Sequence, residues 1–470
     1  MSSLVSTTSK PAEHRSSLIV TALSAAFGVA LIQATSYLTS IVTADDIGSR
    51  ESVQLALVMV AGVFIVIAVY VGAIVTANTF ATIIAGRTRT IALMRLVGSS
   101  ASTLRRSVAR EGLLVGITGS LLGGAFGFLL ATVGVRWGVA AGGIPDLKYT
   151  FFDPRIFLPL VIVVLATWVA SWVGSRKVLA VTPIQATGTA QEPTREETLK
   201  RPFRNAVAAV MFFGGLALLA LGVALGLVSP FGFLIAFLGG IVSFSGIVSG
   251  AHMVMPPLLR LAGRMLGRSP ASRMAAENAL RYPERSSRTT IGLVIGVTLI
   301  TTFAVASQGY VDMILAAQEN QPQEFGEIDD ILYITVGVFS ALIGFSAIIA
   351  AFGMVNNLSL SVLQRTRELG LLRALGFTGR QVRGMIVAES AQMTIAAVGL
   401  GLVLGVGYGW AGAQSLLGGV YGSAGLVWPS IPWPLMAILA VGAAALTFAA
   451  AQVSARRATS VSPVLALAVD

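Results

Sequence analysis

The chain has 470 residues, 55% of them apolar and only 11% charged, with a formal net charge of +11 and a mean hydropathy of +0.82. Soluble domains carry about 25% charged residues, so a soluble globular protein is excluded, and the positive charge belongs with the cytoplasmic loops of a membrane protein rather than with nucleic acid. With no cysteine there are no disulfides and no thiol chemistry, and the redox compartment is not legible.

A membrane helix needs about 20 apolar residues. Ten runs reach that length, near 17–43, 53–79, 112–136, 156–175, 205–227, 230–253, 289–309, 331–357, 390–413 and 433–454. The first run follows Lys10 and Arg15 and exceeds the ~7–15-residue apolar core of a signal peptide. Its start, Arg15-Ser-Ser-Leu-Ile-Val, is matched by Arg288-Thr-Thr-Ile-Gly-Leu, and Tyr37 then meets Tyr310, so it is expected to be retained. The second run extends from Val53 to Ala85, longer than a span needs, and its polar residues Thr76, Asn78, Thr79 and Thr82 mark where it leaves the bilayer. The stretch 205–253 is continuous in hydropathy and is split at Ser229-Pro230, a turn signal. Outer loops near 44–52, 137–155, 228–229, 310–330 and 414–432 are too short to fold as domains.

A duplicated joint follows the second and eighth runs. Arg87-Thr-Arg-Thr-Ile-Ala-Leu-Met-Arg-Leu-Val-Gly98 returns 278 residues later as Arg365-Thr-Arg-Glu-Leu-Gly-Leu-Leu-Arg-Ala-Leu-Gly376, identical at six of twelve positions. The same offset pairs Asn78 with Asn356, Arg105 with Arg383 and Glu111 with Glu389. Gly98 and Gly376 are expected at the C′ position, where glycine takes a left-handed conformation at little cost and stops a helix. Thr378-Gly-Arg-Gln381 has capping-box spacing, and Ser99 or Ser100 is available to cap in the first copy. A short basic helix is then expected to run back to the next span, with Glu111 and Glu389 at the inner mouths of the third and ninth spans as partners for the joint arginines, placed to suit the helix macrodipole. Each half closes alike, Ser175-Arg-Lys-Val-Leu-Ala-Val-Thr-Pro183 against Ala455-Arg-Arg-Ala-Thr-Ser-Val-Ser-Pro463.

Placing the N-terminus inside puts 28 of the 32 Lys and Arg residues on the cytoplasmic side and 11 of the 21 acids outside. Trp137, Trp410, Trp428 and Trp433 then fall near outer ends, where an aromatic belt belongs. The fold class expected is an all-α polytopic membrane protein of ten transmembrane helices: two parallel four-helix repeats (1–188 and 271–470) separated by a linker (189–270) carrying the fifth and sixth helices. Both termini are then cytoplasmic, in the cell membrane. Between the halves, Arg260, Arg264 and Arg268 stand four apart with Leu258, Leu261 and Met265 on other faces, the pattern of an interfacial amphipathic helix over 257–268. Residues 272–281 are expected as an elbow helix, Gln191 to Arg204 as a solvated connector, and the glycine-rich third and ninth spans as close-packing helices.

Chemistry on the chain itself is sparse. No G-x-x-x-x-G-K-[ST] loop, metal-ligand spacing or HExxH is present, so neither a catalytic site nor a metal or cofactor site is expected. His14 reads as a solvated tail residue and His252 as a hydrogen-bonded one at the inner end of the sixth span. Apart from His252 no span carries an ionisable residue in its central part, which weighs against ion-coupled transport and favours energy delivered from outside the chain and an apolar or amphipathic cargo.

Arg365-Thr-Arg-Glu-Leu-Gly-Leu-Leu-Arg-Ala-Leu-Gly-Phe-Thr, with Glu389 beyond it, resembles the signature of FtsX-like permeases, the membrane subunits of ABC systems such as the MacB, lipoprotein-releasing and BceB permeases. The likeness spans about 55–186 and 333–467, and the ten-helix layout is most similar to the BceB type. The first copy departs from the signature, with Thr90 in place of the acid and Ala92 and Val97 in place of Gly and Leu, which puts the equivalence of the two joints in question. The large extracytoplasmic domain expected in such permeases is missing from these short loops. The resemblance implies that Arg87, Arg89, Arg95, Gly98 and Glu111, and Arg365, Arg367, Glu368, Arg373, Gly376 and Glu389, couple the membrane helices to ATP-binding subunits. ATP and magnesium would lie on those subunits, two copies of them, while lipid and an amphipathic substrate would meet the spans. It also leaves open a second class, a signal transducer that moves an outer segment such as 310–330 to activate an extracytoplasmic partner without transport.

Overall fold

The computed structural model describes residues 11–42, 88–141, 146–147, 149, 151–176, 202–266, 283–320, 371–419 and 426–460, with isolated positions between 62 and 77, at 274 and 277, and between 336 and 351. No strand occurs among the described residues. The chain divides into two compact units, Met1–Gln191 and Glu192–Asp470, so the fifth and sixth spans share a unit with the second repeat.

The first unit contains α1 (Pro11–Val42), α2 (Thr88–Leu96), α3 (Ala101–Ala140) and, after a 3-10 turn at Pro154–Ile156, α4 (Phe157–Gly174). At 40 residues, α3 is about 60 Å long. Its glycines bring two neighbours to backbone distance. A Cβ on Gly119 would lie 2.9 Å from Thr21 Cβ, and one on Gly123 or Gly127 would overlap the carbonyls of Ala22 or Ala26, all on α1. On the other side, a Cβ on Gly124 would lie 2.6 Å from the Leu160 side chain, and Ser120 Oγ donates to Leu160 O at 3.0 Å, both on α4. At the far end of α1, Gln33 Nε2 donates to Phe151 O at 2.6 Å, and the Tyr37 ring meets Tyr149 edge-on at 5.7 Å.

The second unit contains α5 (Pro202–Gly226), α6 (Gly232–Ser249), α7 (Ala251–Met265), α8 (Pro283–Asn320), α9 (Gly379–Leu417) and α10 (Trp433–Ser460). The break expected at Ser229-Pro230 is a tight turn, with Ser229 N–H donating to Leu225 O at 2.9 Å and Gly232 N–H to Ser229 O at 3.0 Å. The two helices it joins touch backbone to backbone through Gly215, Gly222, Gly239 and Gly246. The α8–α9 pair repeats the α1–α3 packing. A Cβ on Gly401 would sit 2.7 Å from Val297 Cβ, one on Gly405 would overlap Thr301, and one on Gly409 would lie 2.6 Å from Thr302 O. Gly401 and Gly405 are the repeat partners of Gly123 and Gly127. The residues they meet stand two further along α8 than the Arg15/Arg288 register would place them.

Among the described residues, eight helices are long and apolar enough to cross a membrane: all but α2 and α7. The spans expected near 53–79 and 331–357 lie largely outside the described residues, and those of their residues that are described are helical. Two boundaries differ from expectation. The sixth span ends at Ser249, not 253, because the chain turns at Gly250, so His252 belongs to α7. The amphipathic helix runs over Ala251–Met265 rather than 257–268, with Pro256 and Pro257 inside it. Proline usually marks a helix start because it lacks the N–H donor. Here a preceding turn forms regardless, closed by Met253 N–H to Gly250 O at 2.8 Å.

The glycine contacts set a direct test on one helix. Gly123→Val drives a branched side chain into the α1 backbone and is expected to cost about 2 kcal/mol or more. Gly134→Val, on the same helix with nothing within 4 Å, should stay within about 0.5 kcal/mol. Thermal melts of the detergent-purified variants read the difference, and equal melts would remove α3–α1 contact as a determinant of the fold.

Candidate functional site

Both joints are built by the same sequence of backbone events. In the first, α2 ends on Gly98, whose φ of +99° is a left-handed conformation that only glycine takes without penalty. Gly98 N–H donates to Arg95 O at 3.1 Å and Ser99 N–H to Met94 O at 2.9 Å, the paired bonds of a Schellman motif. Ser100 then caps α3, its Oγ accepting Thr103 N–H at 3.1 Å. In the second, residues 371–374 are helical and stop at Gly376, φ +96°. Gly376 N–H donates to Arg373 O at 3.1 Å and Phe377 N–H to Leu372 O at 3.1 Å. Thr378 caps α9 with both halves of the capping box: its Oγ1 accepts Gln381 N–H at 3.3 Å, and its own N–H donates to Gln381 Oε1 at 2.9 Å.

Each turn presents apolar side chains outward. Val97 is 81% exposed and its repeat partner Leu375 is 78% exposed, and Leu93 and Leu371 are exposed at matching positions. Arg95 and Arg373 are half-buried two residues before the tips, where a cation suits the C-terminal end of a helix.

The interiors of the two joints differ. Behind the first, Ile91, Ala92 and Leu104 are buried together, with Met94 and Val108 packed against them. Behind the second, Val382, Met385 and Ile386 share a cluster with Ala455 of α10, and Leu372 and Phe377 close over it. The residue after the glycine explains this: Phe377 supplies the apolar contact that commonly accompanies the motif, and Ser99 cannot. At the first joint, Arg105 ties α3 to α4. Its guanidinium lies 3.9 Å from the centre of the Trp172 ring and donates to Ser175 Oγ and to Trp172 O, both at 3.3 Å. Arg105 is a functional candidate that the site residues named from the sequence omit. Its pairing with Arg383 in the repeat is the signal that marks it.

Of the residues expected to act here, Arg95, Gly98, Arg373 and Gly376 lie at the joints. Arg89 is in α2, its side chain outside the described residues, as are Arg87, Arg365, Arg367 and Glu368 altogether. Neither Glu111 nor Glu389 stands at a helix start. The short basic helix and the following span are one continuous helix in each unit, starting at Ala101 and Gly379, so each carboxylate is ten residues inside. That is about 15 Å from the helix end, beyond the first turn in which the macrodipole acts. Glu111 is half-buried and Glu389 is only 5% exposed.

Two separate units, each with a long helix entered through the same glycine turn and cap, define a duplicated, multi-pass helical membrane protein of the permease type. The chain belongs to the FtsX-like permease family: the FtsX-like permease C-terminal domain matches residues 62–183 and again 340–463, together just over half of the chain. Among curated proteins it is similar to the uncharacterized ABC transporter permease YknZ of Bacillus subtilis, 30% identical over 110 residues, covering 23% of this chain and 25% of that one. It is also similar to the macrolide export ATP-binding/permease protein MacB of Bdellovibrio bacteriovorus, 28% identical over 106 residues, covering 18% of this chain and 16% of that one. A third relative is the ABC transporter permease YtrF of Bacillus subtilis, 32% identical over 62 residues, 13% of this chain and 14% of that one. The chain thus spans a quarter or less of the length of these relatives.

The capping box is open to test by hydrogen exchange. Thr378→Ala should cost about 1 kcal/mol at the start of α9 and speed exchange of the amides of its first turn several-fold. Gly134→Ala, far from either joint, should leave those amides unchanged.

Proposed function

We propose that this chain is the membrane-spanning, non-catalytic permease subunit of an ATP-driven ABC transporter, and that its two joints dock separate ATP-binding subunits on the cytoplasmic side. The observation that carries the reading is the repeated joint: a rigid glycine turn, an exposed apolar tip and an adjacent arginine, built twice at the entry of the longest helices. A loop serving topology alone needs positive charge, but not a matched left-handed glycine, matched caps and matched exposed tips at Val97 and Leu375. The names of the relatives support the class. Both termini are cytoplasmic in this reading, as the distribution of Lys and Arg requires.

The cargo is an apolar or amphipathic molecule, such as a peptide antibiotic, a drug or a lipid, exported or extracted from the bilayer. The composition of the spans supports this, since α5, α6 and α4 contain no acidic or basic residue beyond Arg204 at the start of α5. Such spans have little to offer a hydrophilic ion.

Because the two joints are fused in one chain, one permease should assemble with two ATP-binding subunits, each holding ATP and magnesium. Native mass spectrometry of the complex captured on a tagged permease reads the ratio, and two permease chains per complex would sink the fused-dimer reading.

The coupling assignment has its own test. The Arg373→Ala, Gly376→Ala double variant and the single Leu375→Asp should each lower cargo-stimulated ATP hydrolysis by more than tenfold, with membrane insertion unchanged. Hydrolysis at the parental rate would remove the second joint from the coupling path.

A further inference from the structure

Helix α7 belongs to neither joint and lies outside the two matched family segments, the first of which ends at residue 183 while the second begins at 340. Its inner face is fixed to the protein. Met255 and Leu259 are fully buried and Ala262 is nearly so. Three polar contacts tie it to three other helices. Ser287 Oγ of α8 donates to Ala251 O at 3.1 Å, Gln392 Nε2 of α9 donates to Leu259 O at 2.7 Å, and His252 Nε2 lies 2.8 Å from Asn205 Oδ1 of α5. Ser287 and Gln392 both lie in the first third or so of their helices, so α7 sits at the end of the second unit where Gly376 and Thr378 lead into α9.

The outer face has a different chemistry. Met253, Leu261 and Met265 are exposed, Met265 to 70%, and with Pro257 they recur every four residues along one side of the helix. Arg264 is exposed and Arg260 half-exposed beside them, and α7 has no acidic residue. The helix begins one residue after α6, an 18-residue candidate span, about 27 Å long and so close to the thickness of the hydrocarbon core. The chain therefore delivers α7 to the level where acyl chains give way to headgroups. Exposed leucine and methionine alternating with unopposed arginine suit that boundary. Water would leave the apolar side chains unfavourably exposed, and hydrocarbon would strand the cations.

We infer that α7 is an anionic-phospholipid site, with Leu261 and Met265 seated among the upper acyl chains and Arg260 and Arg264 binding the phosphate and acidic headgroups of the leaflet on the side of the second joint. Guanidinium pairs with phosphate through paired N–H donors, and each cation at such a surface strengthens binding to anionic lipid about fivefold. Because Gln392 holds α7 through Leu259 O, lipid bound there steadies the part of α9 that carries Glu389. The inference rests on α7 alone and stands whether or not the joints dock an ATP-binding subunit.

The absence of cysteine makes site-directed labelling clean. In the full chain, Leu261→Cys and Met265→Cys carry a polarity-sensitive fluorophore in nanodiscs of phosphatidylcholine with brominated acyl chains, and Ser102→Cys, at the exposed start of α3, serves as the aqueous control. The α7 labels should be quenched by the bromolipid and shielded from aqueous iodide, and Ser102→Cys should behave the opposite way. Native mass spectrometry of the chain released from equal parts phosphatidylglycerol and phosphatidylcholine should show phosphatidylglycerol retained in preference. Arg260→Gln and Arg264→Gln should each reduce retention about fivefold, and Arg260→Lys with Arg264→Lys should restore most of it. Labels at Leu261 and Met265 that iodide quenches as it does Ser102→Cys would overturn the proposal. So would labels that lose contact with bromolipid only because a co-purified protein covers them, since α7 would then be a protein interface. Unchanged phosphatidylglycerol retention in the glutamine variants, with circular dichroism and melting unaltered, would overturn the headgroup assignment.

Discussion

Each described repeat depends on two helices meeting at backbone distance. Lipid tails solvate an apolar side chain as well as a neighbouring helix does, so hydrophobicity alone holds no pair of membrane helices together. Glycine removes the side chain that would keep the backbones apart. Gly123 and Gly127 bring α3 onto Ala22 and Ala26, and Gly401, Gly405 and Gly409 bring α9 onto α8. Once these pairs are fixed, the direction of α3 and α9 is fixed, and so is the place where each begins. The joints are consequences of that: a glycine turn and a cap must lie where the long helix starts, and the exposed tips must lie one residue before the turn.

The two joints share a backbone and differ in what stands behind it. In the first, Ile91, Ala92 and Leu104 pack α2 against α3, and Arg105 of α3 is laid over Trp172 of α4 and bonded to Ser175 Oγ. In the second, Phe377, Leu372 and Ala455 close around Val382 and Ile386, so the apolar cluster itself reaches α10. A guanidinium on an indole face can slide and re-form, and its donors can exchange with water. A packed cluster of aliphatic and aromatic side chains tolerates little displacement without opening a void. One motif is thus backed by two different apolar clusters, with Ser99 after the glycine in one copy and Phe377 in the other.

Much of this was legible in the sequence because it is local. Gly98 and Gly376 announce a left-handed stop, Thr378 and Gln381 a capping box, Ser229-Pro230 a turn, and spaced glycines a close approach. What escaped depends on partners far along the chain or on competing signals. The end of α6 lies inside an unbroken apolar run, and Gly250 turns the chain where hydropathy gives no warning. Pro256-Pro257 reads as a helix start, yet α7 is held by Asn205, Ser287 and Gln392, residues 36 to 133 positions away from the α7 residues they bond, and forms through the prolines. Glu111 and Glu389 stand where the apolar run begins, but the cap starts each helix ten residues earlier, and a cap is weaker in the sequence than a run of hydropathy. The role of Arg105 needed the end of α4 to be placed before its partner could be seen.

The second unit carries the consequence furthest, because α9 is bonded to α6, α7 and α10 and packs its glycines on α8. Tyr408 bonds Ser243 of α6 at 2.7 Å, Thr394 bonds Thr447 of α10 at 2.8 Å, Gln392 bonds α7, and the glycine row meets α8. Hydrogen bonds in an apolar surround are costly to break without replacement. A displacement entering at Gly376 would therefore move α9 as a rod and take these neighbours with it rather than bend it locally. In the first unit α3 bonds α4 through Ser120 and Arg105, and glycines carry its contact with α1. If both joints receive the same push, the second unit should spread it through α9 to α6, α7 and α10, and the first should pass it through α3 to α4. The departures of the first copy from the second then concern mechanics as much as recognition.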